Sequence, residues 1–242
     1  MKVPKLSIVI PTLNEEAYLP GLLETIAAQD WKDFEVIVSD AGSSDDTVHI
    51  AQQHGAKVVV GPKRGPGYGR NRGAEAAQGE LLLFLDADVR LPSPDFLRKA
   101  VEEFERRGLG AAGFYIRAWD GNLVHRFLFR FGNVLFWATQ RIDPHVPGWA
   151  ILVRRELHEK IGGFDETPAF REDHDYISRI RRHAKIGFLR TGPILGSTRR
   201  FATEGTLRTL AIYLYTELAR PFGRIPYERF RYKFGWTEKK KG

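Results

Sequence analysis

The carboxylate pair Asp86 and Asp88 is the part of the chain whose residue types and spacing point most directly to chemistry. It follows Leu81–Leu85, five consecutive apolar residues that predict a strand buried on both faces. Side chains two residues apart on a strand lie on the same side, so both carboxylates are expected to point the same way. Two such charges repel unless a cation joins them, and hard oxygen ligands suit Mg²⁺ or Mn²⁺. The alternative is that both residues only cap the turn before Pro92.

Polar clusters follow four predicted strands, at the point where each strand ends. The strands are expected at 6–10, 34–38, 57–60 and 81–85, with helices between them. This alternation predicts an α/β protein with a Rossmann-like, mostly parallel central sheet flanked by helices. Such sheets bind ligands beyond the carboxyl ends of their strands, so the four clusters predict one binding rim. The clusters are Pro11–Glu15, Asp40–Asp45, Gly61–Arg72 and Asp86–Asp88.

The glycine-rich loop Gly61–Arg72 matches neither a P-loop nor a dinucleotide-binding fingerprint. It brings Lys63, Arg64, Arg70 and Arg72 close to the predicted start of a helix, which is a favourable place for anionic oxygens. For Lys63 and Arg64 a flexible surface loop is an equally good interpretation. The loop therefore predicts an anion-binding segment at the rim.

A second acidic cluster, Glu172, Asp173 and Asp175 with His174 among them, begins a predicted helix. Helix N-termini favour carboxylates, which explains one or two of these acids. Three acids and a histidine after a Gly-Gly turn indicate a working site. His145 and His174 are candidate metal ligands, although a lone histidine is more often structural.

The composition of the 242-residue chain is that of an ordinary globular protein, with 43% hydrophobic and 28% charged residues. This length fits one large domain or two closely associated halves. The absence of cysteine excludes disulfides, thiolate nucleophiles and cysteine-based metal sites. The first residues contain too short an apolar run for a signal peptide, and no stretch approaches the roughly 18 apolar residues of a membrane span.

Positive charge is concentrated at the end of the chain. The net charge is +7, and Arg220–Gly242 contributes +6 of it through eight Lys or Arg against two Glu. Aromatic residues alternate with these cations. The pattern favours contact with an anionic membrane surface. Single-stranded nucleic acid and ordinary packing on the chain's own domain or a partner subunit are the alternatives.

Two segments before this basic tail predict apolar or amphipathic helices, at Leu123–Ala138 and Thr206–Arg220. The first is either a core helix or an amphipathic helix lying in a lipid interface, and a core helix is the favoured interpretation. The second is an amphipathic helix with leucines on one face. If the tail contacts a membrane, Phe127–Trp137 is the expected second contact.

The sequence resembles the family 2 inverting glycosyltransferases, which have the GT-A fold. The resemblance runs from Leu6 to about Arg200 and is specific because six segments occur in order and spacing. These segments are SIVIPTLNEE, VSDAGSSDDT, GRNRGAEAAQGE, FLDADVRLP, GWAILVRRELHEKIGGFDE and REDHDYISRIRR. The resemblance implies transfer of a hexose such as glucose or mannose from a UDP- or GDP-sugar to a lipid-linked or glycan acceptor. It also implies inversion at the sugar and a Mg²⁺ or Mn²⁺ cofactor.

The resemblance implies a domain division as well. Residues 1–200 would form the GT-A domain, with a nucleotide-binding half at 1–116 and an acceptor half at 117–200. Residues 201–242 would form a helical, basic C-terminal extension. A polyprenyl phosphate is the expected lipid acceptor, and nucleic acid is not an expected partner. The protein is expected to be cytoplasmic and peripheral on the cytoplasmic face of the membrane.

Ten positions would contact the nucleotide sugar if the resemblance holds residue by residue. They are Pro11, Thr12, Asn14, Glu15, Asp40, Arg70, Asp86, Ala87, Arg199 and Arg200. Thr12, Asn14 and Glu15 would lie against the base and ribose. Asp40 would accept a hydrogen bond from the base, and Arg70 would lie near the diphosphate.

The same resemblance implies the roles of the acidic residues. Asp88 would hold the metal directly, and Asp86 would bind the ribose or the metal's water shell. Asp173, in the pair Glu172-Asp173, would be the catalytic base. These assignments place the metal at one edge of the sheet and the base in the acceptor half.

Two positions depart from the family pattern. Ala41 stands where many members have a second acid, and Arg90 stands where lipid-phosphate transferases often have glutamine. Arginine has no acceptor atom and cannot bind a cation, so the remaining metal ligands stay open. The segment containing Arg199 and Arg200 resembles a basic segment found late in some members, and it would hold the diphosphate or an acceptor phosphate.

Two other classes of function fit parts of the sequence. A nucleotidyltransferase acting on sugar phosphates also uses a nucleotide rim and paired carboxylates, but its first loop is expected to be glycine-rich and to carry a lysine. A non-enzymatic nucleic-acid-binding protein would use the basic tail, and it leaves the four-loop rim unexplained.

Overall fold

The computed structural model describes residues 3–139, 146–167 and 172–218. Its strands are β1 (Leu6–Thr12), β2 (Phe34–Asp40), β3 (Lys57–Val60), β4 (Leu81–Leu85), β5 (Val89–Arg90), β6 (Ala111–Ala118), β7 (Ala150–Arg154) and β8 (Ile186–Gly196). Its helices are α1 (Leu19–Ala27), α2 (Thr47–Gln53), α3 (Pro66–Ala76), α4 (Phe96–Arg106), α5 (Leu123–Thr139), α6 (Arg155–Lys160), α7 (Glu172–Ile180), α8 (Arg199–Glu204) and α9 (Thr206–Leu218). His145 and the basic tail Arg220–Gly242 lie outside the described residues.

The first half of the sheet is parallel, in the order β3-β2-β1-β4. Its central strands are buried on both faces because helices cover both sides, which explains their uninterrupted apolar sequences. The prediction of a parallel α/β sheet is confirmed. β1 continues past Pro11, where the sequence was expected to end it, because it stays paired with β2 as far as Thr12.

The second half of the sheet is mixed. β7 runs antiparallel to both β4 and β6, β8 runs parallel to β6, and β5 closes the sheet antiparallel to β8. β8 was not predicted from the sequence, because Gly187, Gly192 and Pro193 interrupt its apolar pattern. The strand also changes register against β6 between Phe114 and Ile116. The complete order is β3-β2-β1-β4-β7-β6-β8-β5.

Two apolar layers hold the sheet between its helices. One layer contains β1, β4, α1 and α4, including the fully buried Leu22, Phe96 and Phe104. The other contains Phe84 and the α7 residue Tyr176. The spacing of Phe96, Leu97, Ala100, Val101 and Phe104 in the sequence predicts one inner face for α4, and all five are buried.

Helix α5 does not lie in the core, so the interpretation favoured by the sequence was wrong. Leu123, Phe127 and Trp137 are 81%, 64% and 64% exposed. The opposite side of the helix is attached to the domain. The amide of Asn133 exchanges two hydrogen bonds with the backbone of Ile116, at 3.0 and 2.6 Å. Apolar composition therefore did not distinguish a buried helix from one with an exposed apolar face.

No helix in the ranges that the structure describes is both long enough and apolar enough to cross a bilayer. Helix α9 confirms the predicted helix near the end of the chain as far as Leu218. The domain boundaries at residues 116 and 200 remain a prediction. Strand β8, from the predicted acceptor half, pairs with β5 from the predicted nucleotide-binding half, so the two halves share one sheet.

His158 on α6 is buried under the sheet. Its Nδ1 lies 2.8 Å from the Tyr176 hydroxyl, and its ring packs against Phe84 and Phe164. Burial lowers the pKa of His158 to about 4, and the positive charges of Arg155 and Arg179 act in the same direction. The side chain is therefore neutral in the folded protein at neutral pH.

This burial predicts a pH-dependent loss of stability. Unfolded histidine has a pKa near 6.5, so between about pH 6.5 and 4 the unfolded state binds more protons than the folded state. His158 should therefore lower the free energy of unfolding by about 1–2 kcal/mol between pH 7 and pH 5. Urea unfolding of the wild type and His158→Gln at both pH values measures this, because glutamine stays neutral and can still bond to Tyr176. An identical pH dependence in both proteins would contradict the assignment.

Candidate active site

The carboxyl ends of β1 and β2 form the first part of the rim. Thr12 Oγ1 donates a hydrogen bond to Asp40 Oδ1 at 2.9 Å, directly across the pair of strands. The backbone amides of Gly42 and Ser43 donate to Asp40 Oδ2 at 2.9 and 2.7 Å. Asp40 is 2% exposed. It therefore shapes the loop after β2, and its predicted contact with a base remains a prediction.

Asn14 connects the loops after β1 and β2. Its backbone has φ 54°, and its side-chain oxygen accepts a hydrogen bond from the Ser44 amide at 2.8 Å. Asparagine ahead of two glutamates predicts a helix N-cap at 14, and this prediction is wrong because α1 begins at Leu19. The left-handed conformation suits asparagine and turns its amide towards the neighbouring loop instead.

Asp86 and Asp88 lie in the turn after β4. Ala87 between them is buried in the core with 3% exposure, while the side chains of Asp86 and Asp88 are 39% and 22% exposed. The two carboxylates thus leave the core after the buried strand, while Ala87 between them faces inward. Ala87 has only its backbone to offer a ligand, so its predicted role in binding would be through that backbone.

Arg70 on α3 joins three parts of the site. Its guanidinium bonds to Asp86 Oδ1 at 3.0 Å, to Glu172 Oε1 at 2.9 Å and to the carbonyl of Gly148 at 3.1 Å. The side chain is 3% exposed. Arg72, predicted beside it, pairs with Glu75 on the same helix instead, so only one of the two arginines enters the site.

Asp173 lies beside this arginine. A methyl group built on Gly148 would lie 3.1 Å from Asp173 Oδ2 and 3.2 Å from Arg70 Nη2. The other oxygen of Asp173 accepts a hydrogen bond from the His174 amide at 2.8 Å. The two predicted catalytic residues, Glu172 and Asp173, therefore lie next to the residue that holds Asp86.

Arg199 joins the opposite side of the rim. Its two terminal nitrogens bond to the carboxylate oxygens of Glu15 at 2.5 and 2.9 Å, and its Nε lies 2.7 Å from Asp88. The guanidinium also lies over the ring of Tyr18, 4.6 Å from its centre. Residues 184 positions apart thus meet at the metal-ligand candidate Asp88.

Burial raises the pKa of two of these carboxyl groups. For Glu15 the pKa rises to about 7, although Arg199 acts in the opposite direction. For Asp86 it rises to about 6, with Arg70 opposing the shift and Asp88 adding to it. Arg200 is close enough to Asp86 to lower its pKa. Desolvation thus disfavours the ionised forms of Glu15 and Asp86, and an added cation would stabilise them.

The donor set fits a magnesium or manganese ion held jointly with a ligand. Among the described residues no group of three or more His, Cys, Asp or Glu converges as a metal site. Asp86 and Asp88 supply two hard oxygen donors, and Mg²⁺ in proteins commonly takes one or two carboxylates with water and substrate phosphates. His174 does not enter such a group, and neither does any third protein ligand in the described part of the chain.

Arg90, which departs from the family pattern, has a structural role. Its guanidinium lies 3.6 Å from the centre of the Trp119 ring and packs against Gly21, where an added methyl would meet Arg90 Nε at 2.8 Å. The sequence reasoning did not anticipate this stacking, or the pair formed by Arg199 and Glu15. The glycine at position 21 was the local sign of the Arg90 stacking. The pairing of Arg199 with Glu15 had no local sign, because the two residues lie 184 positions apart.

Gly148 should not tolerate a larger side chain. The methyl of Gly148→Ala would displace the Asp173 carboxylate and the Arg70 guanidinium by a few tenths of an ångström, because both contacts are below 3.4 Å. We expect turnover to fall about tenfold with little change in melting temperature. Gly61→Ala is the matched control, since its methyl would meet only the Tyr68 ring at 3.5 Å. Equal activity of the two variants would contradict the placement of Asp173.

Solved glycosyltransferase structures share this fold. The mannosyltransferase PcManGT from Pyrobaculum calidifontis, solved with GDP-Man and Mn²⁺, superposes with a TM-score of 0.73 over 95% of this chain and 68% of its own, at 22% identity. A likeness at this identity shows the fold alone. The molecule has the GT-A fold that the sequence resemblance implied.

The chain belongs to glycosyl transferase family 2, whose sequence pattern it matches over residues 7–162. It is 31% identical over 188 residues to a PGL/p-HBAD biosynthesis glycosyltransferase of Mycobacterium tuberculosis, covering 74% of this chain and 70% of the relative. It is also 40% identical over 98 residues to GalNAc(5)-diNAcBac-PP-undecaprenol beta-1,3-glucosyltransferase of Campylobacter jejuni, covering 38% and 32%. The protein is a glycosyltransferase.

Proposed function

We propose that the protein transfers a hexose, such as glucose or mannose, from a UDP- or GDP-sugar to a lipid-linked or glycan acceptor. Transfer would invert the anomeric centre and would require Mg²⁺ or Mn²⁺. One observation carries the proposal. Asp86 and Asp88, directly after β4, are paired with Arg70 and Arg199 respectively, and Glu172 and Asp173 lie next to Arg70.

The nucleotide would lie across the carboxyl ends of β1 and β2. Thr12, Asn14 and Asp40 already organise the loops there through hydrogen bonds within the chain. The groove is therefore built by short polar contacts that hold two loops in fixed positions. Pro11 and Glu15 lie on the same rim, where the base and ribose would contact β1 and the loop that follows it.

The diphosphate would lie between Arg70 and Arg199. Both guanidinium groups are held by carboxylates, so their positions are fixed before a ligand arrives. A divalent cation bound at Asp86 and Asp88 would supply positive charge to the departing nucleoside diphosphate. Arg200 lies near Asp86 and would add to the positive charge at the same place.

Asp173 would face the acceptor. A hydroxyl acceptor must lose a proton as it attacks, and the Asp173 carboxylate would take that proton. A phosphate acceptor is already ionised at neutral pH, in which case Asp173 would orient it. Glu172 would act through Arg70, since their ion pair at 2.9 Å ties the acceptor side to Asp86.

A polyprenyl phosphate is the acceptor that the proposal favours among lipids. The named activity of the Campylobacter relative, which concerns an undecaprenol-linked saccharide, supports a polyprenol-linked acceptor in general. The basic and aromatic residues of Arg220–Gly242 also suit an anionic membrane surface. The protein would then be peripheral on the cytoplasmic face of the membrane.

Calorimetry tests the proposal. UDP, GDP and a single-stranded oligonucleotide would each be titrated into the protein with and without Mn²⁺. We expect one nucleoside diphosphate to bind, more tightly with Mn²⁺ than without, and no saturable binding of the oligonucleotide at physiological salt. A screen of nucleotide sugars for metal-dependent hydrolysis then identifies the donor. Binding of the oligonucleotide alone would overturn the proposal.

A further inference from the structure

Helix α5 exposes an apolar stripe along its length. Leu123, Phe127, Phe131, Val134 and Trp137 are 81%, 64%, 45%, 59% and 64% exposed. Their spacing of three or four residues places them on one side of the helix. The rings of Phe127 and Phe131 stack on each other, with centres 6.3 Å apart. Seventeen residues of helix extend over about 25 Å, so the stripe is a surface rather than an isolated apolar contact.

The orientation of the helix is fixed from the other side. Asn133 bonds to both backbone groups of Ile116 on β6. His125 stacks on Phe201 of α8 with ring centres 4.9 Å apart, and its Nε2 lies 3.0 Å from the Thr206 hydroxyl. Rotating the helix to bury the stripe would break these contacts. The apolar stripe faces outward because the side that carries His125, Phe129 and Asn133 is the one attached to the domain.

All the charged residues of α5 are cations. Arg126 and Arg130 are exposed, one turn apart, and follow one edge of the apolar stripe. The helix contains no aspartate or glutamate over its length. An apolar stripe bordered by arginine, with a tryptophan near one end, is the pattern of a helix lying in a lipid interface.

We propose that the outer face of α5 binds an anionic lipid bilayer, with the helix axis parallel to the membrane surface. Leu123, Phe127, Phe131, Val134 and Trp137 enter the interface, and Arg126 and Arg130 contact lipid phosphates. A second copy of the chain fits this face less well, since a two-fold pairing brings the arginines of both helices together without an acid on either. The chain's own tail carries +6 and is also repelled by these arginines.

The docked helix would place the active site beside the lipid. Phe201, which packs on His125 and Phe129 of α5, lies two residues after Arg199, and Arg199 pairs with Asp88. Helix α8 therefore contacts both the proposed diphosphate position, through Arg199, and the attached side of α5, through Phe201. A lipid-linked acceptor would therefore reach the site without leaving the bilayer. This consequence rests on the proposed function, but membrane binding by α5 does not.

Vesicle flotation of the full-length protein tests the proposal. Two kinds of vesicle are compared: neutral vesicles of phosphatidylcholine alone, and anionic vesicles of phosphatidylcholine with about 30 mol% phosphatidylglycerol. We expect Phe127→Ser/Phe131→Ser to reduce binding to the anionic vesicles at least tenfold. Arg126→Gln/Arg130→Gln should weaken the preference for anionic over neutral vesicles, and the basic tail accounts for the preference that remains. Val60→Ser, at the β3 edge and 61% exposed, is the matched control and should bind like the wild type.

The outcomes separate the alternatives. Unchanged flotation of Phe127→Ser/Phe131→Ser overturns the proposal and assigns membrane binding elsewhere. Absence of wild-type binding overturns it as well. If light scattering finds a wild-type dimer that the same substitutions convert to a monomer, the face is an interface between copies. Donor hydrolysis in solution should be unchanged in the folded variant, so a failure of the glycosyltransferase proposal and a failure of this one are distinguishable.

Discussion

Replacing Asp88 by alanine is expected to abolish turnover while the fold remains intact. Asp88 is the candidate direct metal ligand, and its side chain leaves the core at the end of β4. Loss of the ligand removes positive charge from the departing diphosphate, an effect we expect to reach 10³-fold or more, about 4 kcal/mol. The fold should survive because the carbonyl, rather than the carboxylate, of Asp88 accepts the Ser197 amide bond that joins β5 to β8.

The control for this variant is Asp30→Ala. Asp30 also pairs with an arginine, Arg98 at 3.1 Å, but both side chains are more than 40% exposed and lie away from the rim. It should keep full activity and a nearly unchanged melting temperature. Activity is measured as product formed per unit time at saturating donor, and Mn²⁺ affinity by calorimetry in the presence of the nucleotide. Full turnover by Asp88→Ala would refute the metal assignment.

Replacing Asp173 by asparagine is expected to lower kcat by about 10²–10⁴-fold with a hydroxyl acceptor, the usual contribution of a general base. Asparagine keeps the shape and the oxygen that accepts the His174 amide, so the local backbone should not change. The KM for the donor should change little, because Asp173 would contact the acceptor. A much smaller loss of kcat would indicate a phosphate acceptor, which needs orientation but no deprotonation.

Asp175→Asn is the matched control for Asp173. Asp175 lies on the same helix turn and pairs with Arg179 four residues later, at 2.8 Å. Its loss should cost stability modestly and leave kcat within about twofold. If Asp175→Asn loses as much activity as Asp173→Asn, the effect belongs to the helix and the assignment of a base at 173 is wrong.

Much of the first half of the sheet could be predicted from the sequence because its signals are local. A buried parallel strand is a continuous apolar run, and the polar residues after it lie at a known edge of the sheet. β1, β2, β3 and β4 were predicted in this way and are confirmed. The position of Asp86 and Asp88 beyond β4 follows from the same rule.

The second half of the sheet was harder to predict. β8 contains three glycines and a proline, which weaken both apolar periodicity and strand propensity. Its pairing with β6 and β5 depends on residues far apart in the chain. For helix α5 the apolar composition was recognised, but its direction depends on the bonds of Asn133 to Ile116, which no local pattern reveals.

The contacts within the site are also long-range. Arg70 meets Glu172 across 102 positions, and Arg199 meets Glu15 across 184. The resemblance to the family implied roles for these residues, but not the ion pairs that they form within the chain. In both cases a carboxylate holds the arginine in place. Glu15, which the resemblance assigns to the nucleotide sugar, is therefore also paired within the protein.

The central claim is that a cation held by Asp86 and Asp88 stabilises a departing nucleoside diphosphate. The most direct measurement is a crystal structure of the protein with Mn²⁺ and the nucleoside diphosphate that binds in calorimetry, with the metal located by its anomalous signal. The account predicts Mn²⁺ bonded to an oxygen of Asp88 and to the diphosphate, close to Asp86. A bound diphosphate with no metal at these carboxylates would contradict it.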